Sequence, residues 1–193
     1  MLRRLMPVLV LLAASVPLSA SQFIQLPFDQ VAREATLIVR GQVVGVYSAW
    51  NDAHDTIFSY ATVRVQRYMG ETTGPDVLMV REAGGTVGEY TQQAIGFPEL
   101  REGEQVVLML TKWDGSDDWR IHAYNQGKYL VHKEPGPRGI ETLSEDPVKQ
   151  GDERLEGGHP RMQPRPLMEM KEFEEMAVAA REGRTIGPID RRN

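Results

Sequence analysis

In the segment Asn51-Asp52-Ala53-His54-Asp55, Asp52, His54 and Asp55 place two carboxylates and an imidazole within four residues. Oxygen and imidazole donors suit a divalent ion, and the enzyme reading that follows is a metal-dependent hydrolase built on this loop. The tip of a hairpin also selects Asn and Asp because they tolerate turn geometry, so the same residues have a plain structural reading. The other histidines are His122, His132 and His159. A two-residue turn between the segments carrying His122 and His132 sets residue 122 opposite Val131, so that His132 points to the other face; a three-residue turn aligns the two. His159 lies in a Pro-rich stretch and reads as solvated. No G-x-S-x-G, H-E-x-x-H, P-loop or dinucleotide fingerprint occurs, and the absence of Cys excludes thiolate zinc sites and a cysteine nucleophile. The carboxylate pairs Asp117/Asp118 and Glu174/Glu175 fall in a turn and on an exposed helix face, where acid and base lack the desolvation that tunes them. No catalytic set and no cofactor is therefore expected.

Aromatic residues offer a different chemistry. Trp113, Trp119 and Tyr124 flank the acidic run Asp114 to Asp118, and aromatic faces beside acidic loops bind sugars or peptides. The alternative is that they close one end of a barrel. Trp50, Tyr90 and Phe97 sit in or beside the hairpin tip and a glycine-rich stretch carrying Gly84, Gly85 and Gly88. Long ordered loops of this kind are uncommon without a role, so these residues are the candidate ligand-binding set.

The chain has 193 residues, 22 basic and 27 acidic side chains, 41% apolar residues and no Cys. That is one ordinary domain with appendages. Met1 to Ala20 has the pattern of a secretory signal: Arg3 and Arg4, an apolar run from Leu5 to Val16, then Ser19, Ala20 and Ser21. Cleavage near Ala20 is expected, with an uncleaved anchor as the alternative, although the run is shorter than the roughly 20 residues of a spanning helix. Without Arg3 and Arg4 the formal charge is about −7, which disfavours nucleic acid and anionic lipid as general partners. The expectation is an exported protein, periplasmic or extracellular, without stable membrane insertion, whose partner is an exported protein, a peptide or a glycan.

The elements that hold these residues are extended. Phe28 to Ala35 reads as a short helix capped by Asp29. Thr36 to Tyr47 alternates, with Leu37, Val39, Val43 and Tyr47 inward; Gly41 and Gly45 share that parity and suggest a sharply coiled strand. Ile57 to Met69 completes a hairpin, and Asp76 to Ala83 forms a third strand. Gly84 to Pro98 reads as a surface excursion. Gln105 to Lys112 is apolar on both parities and reads as covered on both faces. Trp119 to Tyr124 and Lys128 to His132 are expected to pair around Asn125, Gln126 and Gly127. Residues 21–133 thus form the β-barrel domain, and 134–166 reads as a Pro/Gly/charge-rich linker or wrapping arm. Residues 167–184 read as an amphipathic helix with Met170, Phe173, Met176, Ala177 and Ala180 along one stripe, and 185–193 as a tail. The stripe is expected to lie on the protein's own barrel, with a separate partner as the alternative.

The order of these elements resembles a family. Thr36 to Val43 (TLIVRGQV), the Gly84-Gly85 and Gly88 loop, and Gly103 to Leu110 (GEQVVLML) followed by two strands look like a group of exported bacterial proteins of unknown function. Their core is a small OB-like barrel, an arrangement also seen in netrin-like and metalloproteinase-inhibitor domains. The resemblance spans roughly Phe28 to Lys133. It implies a mainly β fold: an OB-like Greek-key barrel of five to six antiparallel strands, with a short N-terminal and an amphipathic C-terminal helix. An inhibitor mechanism that chelates zinc through an N-terminal Cys does not carry over, because this chain has none. Three functions follow: a non-catalytic exported binding or accessory module acting through barrel loops, the metal-dependent hydrolase above, and a secreted peptidase inhibitor inserting the glycine-rich loop.

Overall fold

β6 (Gln105–Lys112) explains most of the architecture, because its two sets of alternate side chains enter two different cores. In the computed structural model, which describes residues 25–70, 73–94, 96–133, 140–145 and 167–184, Val106, Leu108 and Leu110 point into a closed barrel. Val107 and Met109 point outward into a second layer that contains the helices. A strand buried on both faces has no polar parity, as the sequence expects of this segment.

The other elements are α1 (Phe28–Glu34), β1 (Leu37–Trp50), β2 (Ile57–Tyr68), β3 (Val77–Ala83), β4 (Gly85–Val87), β5 (Tyr90–Gln92) and β7 (Trp119–Ile121). A 3-10 turn (Tyr124–Gly127), β8 (Lys128–Lys133), β9 (Glu141–Glu145), β10 (Met168–Glu169) and α2 (Met170–Arg181) follow. β1, β2 and β3 form an antiparallel meander, and β6 pairs with the first half of β1 from Leu37↔Leu110 to Gln42↔Gln105. β7 pairs antiparallel with β6 and meets β3 in parallel at Val80↔Trp119. The circuit β1-β2-β3-β7-β6-β1 is a five-strand closed barrel of OB-like form. Leu37, Val39, Val43, Val63, Leu78, Val80 and Ile121 fill it together with the inward residues of β6. Mainly β, with one short helix near the N-terminus and one at the C-terminus, the chain has the fold class expected of it.

Closing so few strands requires sharp coiling, and β1 supplies it with register shifts at Arg40/Gly41 and Val43/Gly45. At the first, a Cβ on Gly41 would lie 2.7 Å from the Arg64 carbonyl oxygen and 2.8 Å from Val63 Cγ1. Only glycine lets the strands approach so closely. The second shift has a consequence for the site. It leaves Val44 without a partner and reverses the parity of everything after it, so that Val46 pairs with the inward Ala61 and Tyr47 turns outward. The expectation that Tyr47 shares the inward face of Leu37, Val39 and Val43 is corrected accordingly.

The outer layer packs α1 and α2 over β1, β6, β8 and β9. Phe173 is fully buried, with ring contacts to Phe28 (5.2 Å) and Tyr129 (4.9 Å) and with Ile38, Val107, Met109 and Leu143 in the same cluster. Met170, Ala177 and Ala180 follow it along the buried stripe, so α2 lies on its own chain.

Several local expectations are revised. β7 and β8 do not form a hairpin; they lie one after the other along the same edge of β6, β7 against 110–112 and β8 against 106–108. Ala123 and Tyr124 adopt left-handed backbone (φ 55° and 60°), which opens the 3-10 turn instead of a tight one. The turn is buried, and Gln126 Oε1 accepts the Leu26 N–H at 2.7 Å. α1 begins at Phe28 as expected, but Asp29 does not cap it: Pro27 is at the N-cap with no side-chain cap, and Asp29 instead pairs with Arg33 one turn on. The glycine-rich excursion folds into the β4-β5 hairpin. Within the segment read as linker or arm, β9 pairs with β8 from Tyr129↔Glu145 to Lys133↔Glu141 and buries Leu143. The signal reading of Met1 to Ala20, His159, most of the linker and the tail from 185 lie outside the described residues. Among the described residues no helix is long and apolar enough to cross a membrane.

Candidate functional site

β1 stops pairing with β6 at Gln42, yet its ladder with β2 runs on to Trp50↔Ile57. Past Gln42 the β1-β2 hairpin therefore projects beyond β6, flanked by β3 as far as Phe58↔Ala83, and its two faces carry different side chains.

One face is covered by the β4-β5 hairpin. Ser48 and Ser59 are cross-strand partners with hydroxyls 3.1 Å apart, and Gly85 rests on both. A Cβ at Gly85 would lie 2.5 Å from Ser59 Oγ, and its φ of 139° independently favours glycine. Gly84 donates its N–H to the Ile57 carbonyl (2.8 Å), Ser59 Oγ donates to the Gly84 carbonyl (2.8 Å), and Gln92 Oε1 accepts the Ile57 N–H (2.7 Å). These bonds fasten the small hairpin and bring Tyr90, 66% exposed, edge-on to Trp50 at 5.7 Å. Trp50 is stacked on His54 from the tip at 6.4 Å. Trp50, Tyr90, Gly84 and Gly85 are thus brought together, with Gly88 in the turn of the same hairpin.

The opposite face holds Trp113, one of the aromatic candidates, together with residues that the sequence reading missed. Tyr47, 55% exposed, stacks on its ladder partner Tyr60 with centroids 5.0 Å apart and planes within 9°. Tyr60 is opposite Arg81 on β3. The Arg81 guanidinium lies over Phe58 (5.1 Å) and Trp113 (4.9 Å), and Arg120 of β7 lies over Trp113 at 5.1 Å. Trp113 Nε1 donates to the Arg81 carbonyl (2.7 Å), and Asp118 pairs with Arg81 at 3.2 Å. A row of tyrosine, tyrosine, arginine and arginine therefore crosses β1, β2, β3 and β7. The bulge at Val44 hid it, because strict alternation sends Tyr47 inward.

The remaining aromatic candidates part company. Trp119 turns toward the barrel core beneath Lys112 Nζ (4.2 Å). Tyr124 leaves with the 3-10 turn and packs edge-on against Phe97 at 4.9 Å. Trp113, Trp119 and Tyr124 do not form one platform.

The polar groups of the hairpin tip are occupied in holding it. Asn51 Oδ1 accepts the N–H groups of Asp55 (3.1 Å) and Thr56 (3.2 Å), and Asp55 Oδ1 accepts from Asn51 Nδ2 (2.7 Å) and Thr56 Oγ1 (3.0 Å). These bonds hold the Asp55 carboxyl below its usual range, Asn51 contributing most. His54, at φ 56°, has its Nδ1 3.4 Å from the Asp52 carbonyl. Asp52, His54 and Asp55 thus do not converge, and no group of three His, Cys, Asp or Glu able to hold a metal occurs among the described residues. His122 and His132 also stay apart: His122 Nε2 is 3.3 Å from Glu34 Oε2, and His132 Nε2 is 2.7 Å from Ser144 Oγ.

Two ionisable side chains among the described residues lie in the interior. Glu82 is on the inward parity of β3 and 4% exposed; its Oε1 accepts the Ile121 N–H at 2.5 Å. Burial raises its pKa to about 8, against the opposing influence of that bond and of Arg120. Lys128 is fully buried, with Nζ 2.8 Å from Glu104 Oε2 and a further bond to the Glu99 carbonyl. A groove of about 350 Å³ between β1, β2 and the start of α2 contains Arg40 and Arg67, but each faces a carboxylate, Glu141 and Glu174 respectively. No protein-family model, curated protein or solved structure matches the chain.

Proposed function

We propose that the chain is an exported, non-catalytic binding or accessory module that takes an exterior protein, peptide or glycan on the projecting end of its barrel, in the manner of netrin-like domains. The observation carrying this reading is that the β1-β2 hairpin extends past the barrel with large aromatic side chains on both faces. Burial in the core does not account for them, since Tyr47 and Tyr90 are more than half exposed. Exposed aromatics on a rigid support are the usual substance of a binding surface, because they offer contact area with little conformational entropy to lose. The support is rigid: Gly85 is clamped on Ser48 and Ser59, and Gln92 is fixed to Ile57.

The test is tryptophan fluorescence of the processed protein titrated with a panel of soluble oligosaccharides and peptides. The double variant Trp50→Ala, Tyr90→Ala removes the best-defined aromatic pair without touching the barrel core. Binding by the parent that falls at least tenfold in the variant supports the module. Absence of any binding across the panel, or turnover of a panel member, overturns it.

A further inference from the structure

Resting on the reading of this chain as a binding module, but concerning the face opposite Trp50 and Tyr90, we propose that the row formed by Tyr47, Tyr60, Arg81 and Arg120 is a subsite for a carboxylated oligosaccharide. A uronic-acid-containing chain would lay its sugar rings along the row and pair a carboxylate with Arg120.

The row has a specific construction. Tyr47 is held by its stack on Tyr60, leaving its other ring face to solvent. Three steps between neighbouring strands separate Tyr47 on β1 from Arg120 on β7, roughly 14 Å, the reach of a short oligosaccharide. At the far end, Trp113 holds both guanidinium groups in place. Arg81 is neutralised by Asp118, whereas the exposed Arg120 makes no ion pair among the described residues, the nearby Glu82 being buried and protonated to about pH 8. Arg64 lies further along the same face of β2, and it too is exposed and makes no ion pair among them.

Charge density and backbone bonding select the ligand. One unneutralised guanidinium group held against an aromatic ring, Arg120, with Arg64 further along the same face, matches a chain with an occasional carboxylate. A nucleic acid brings one charge per nucleotide, and the protein as a whole carries −5. An extended acidic peptide fits less well. At Tyr60 and Arg81 the ladder of β2 with β3 is already formed, so a peptide laid across the face finds no main-chain partner there. Recognition must therefore come from ring faces and guanidinium donors. Sugar C–H faces and carboxylates are complementary to these groups.

Isothermal titration of the processed protein with a hyaluronan tetrasaccharide or hexasaccharide, in which every second sugar carries a carboxylate, tests the assignment, with the carboxyl-reduced oligosaccharide, an oligoglutamate and a single-stranded oligothymidylate as comparisons. The expected result is saturable binding of the uronate, weakened at least tenfold by Arg120→Gln, by Tyr47→Ala and by carboxyl reduction, but unchanged by Trp50→Ala with Tyr90→Ala. Both variants alter exposed side chains, and an unchanged melting temperature checks that the fold is intact. Equal or tighter binding of oligoglutamate or oligothymidylate overturns the proposal, as does a uronate affinity indifferent to Arg120 and Tyr47. If the uronate fails while another panel member binds through Trp50 and Tyr90, this inference falls and the binding-module reading stands; if nothing binds, both fall.

Discussion

Glu82 Oε1 accepts the Ile121 N–H at 2.5 Å, a side-chain bond across the seam where β3 and β7 close the barrel. The ladder pairs these strands only at Val80↔Trp119, so the carboxyl group of Glu82 supplies an acceptor that the backbone of β3 does not. Burial keeps it protonated to about pH 8.

A pH dependence follows from the sign of that shift. The folded pKa, about 8, is above the ordinary 4.5, so the folded state holds a proton that the unfolded chain releases. The contribution is fully present below pH 4.5 and is lost as pH rises through about 8. It is on the order of a few kcal/mol. Glu82→Gln keeps an acceptor for Ile121 and removes the titration. Thermal melts from pH 5 to 9 are expected to show the wild type weakening toward alkaline pH more steeply than the variant, with Glu82→Gln the more stable at pH 9.

The two glycines of β1 are expected to behave differently. Gly41→Ala drives a Cβ into the Arg64 carbonyl and Val63 and is expected to destabilise by about 1–3 kcal/mol. At Gly45 a Cβ meets nothing within 4 Å, and Gly45→Ala is expected to stay within about 0.5 kcal/mol of wild type. Urea denaturation of the two variants measures both.

The buried pair of Lys128 and Glu104 gives an asymmetric prediction. Glu104→Ala removes the carboxylate 2.8 Å from the fully buried ammonium and is expected to destabilise by about 3–5 kcal/mol. Lys128→Met removes the buried charge itself. The remaining carboxylate, partly exposed, still accepts the Arg101 N–H at 3.1 Å, so the loss is expected to be about 1–3 kcal/mol. Equilibrium unfolding ranks the two, and the opposite order contradicts this account of the pair.

Phe173 joins α2 to the outer layer through Phe28 and Tyr129. Phe173→Ala is expected to lose about 3–5 kcal/mol, measured by the same denaturation. A change below 1 kcal/mol would mean that the helix is not docked as described.

Burial patterns were legible in the sequence where a strand kept its register. The double-sided β6 could be read because both its parities are apolar, and α2 because Met170, Phe173, Ala177 and Ala180 repeat at helical spacing. The glycines of β1 pointed to coiling, but a bulge inserts one residue without any composition signal. The outward turn of Tyr47, and with it the row to Arg120, was therefore hidden. β9 was illegible because it buries one apolar residue, Leu143, amid polar neighbours. The parting of β7 and β8 rests on left-handed backbone at Ala123 and Tyr124, residue types that do not advertise it. Of the residues gathered at the site, Trp50, Tyr90, Gly84, Gly85 and Trp113 could be named from the sequence, but neither the contact of Gly85 with Ser48 and Ser59 nor the part of Phe58, Tyr60, Arg81 and Arg120 could.

Amide chemical-shift mapping of the isotope-labelled protein, titrated with the same oligosaccharides and peptides, reads out whether the projecting end of the barrel is the binding surface. Perturbations are expected to concentrate on 45–50, 57–60, 81–92 and 113–120, with the groove at Arg40 and Arg67 unaffected. Shifts confined to that groove or to α2, or none with any ligand, would contradict that assignment.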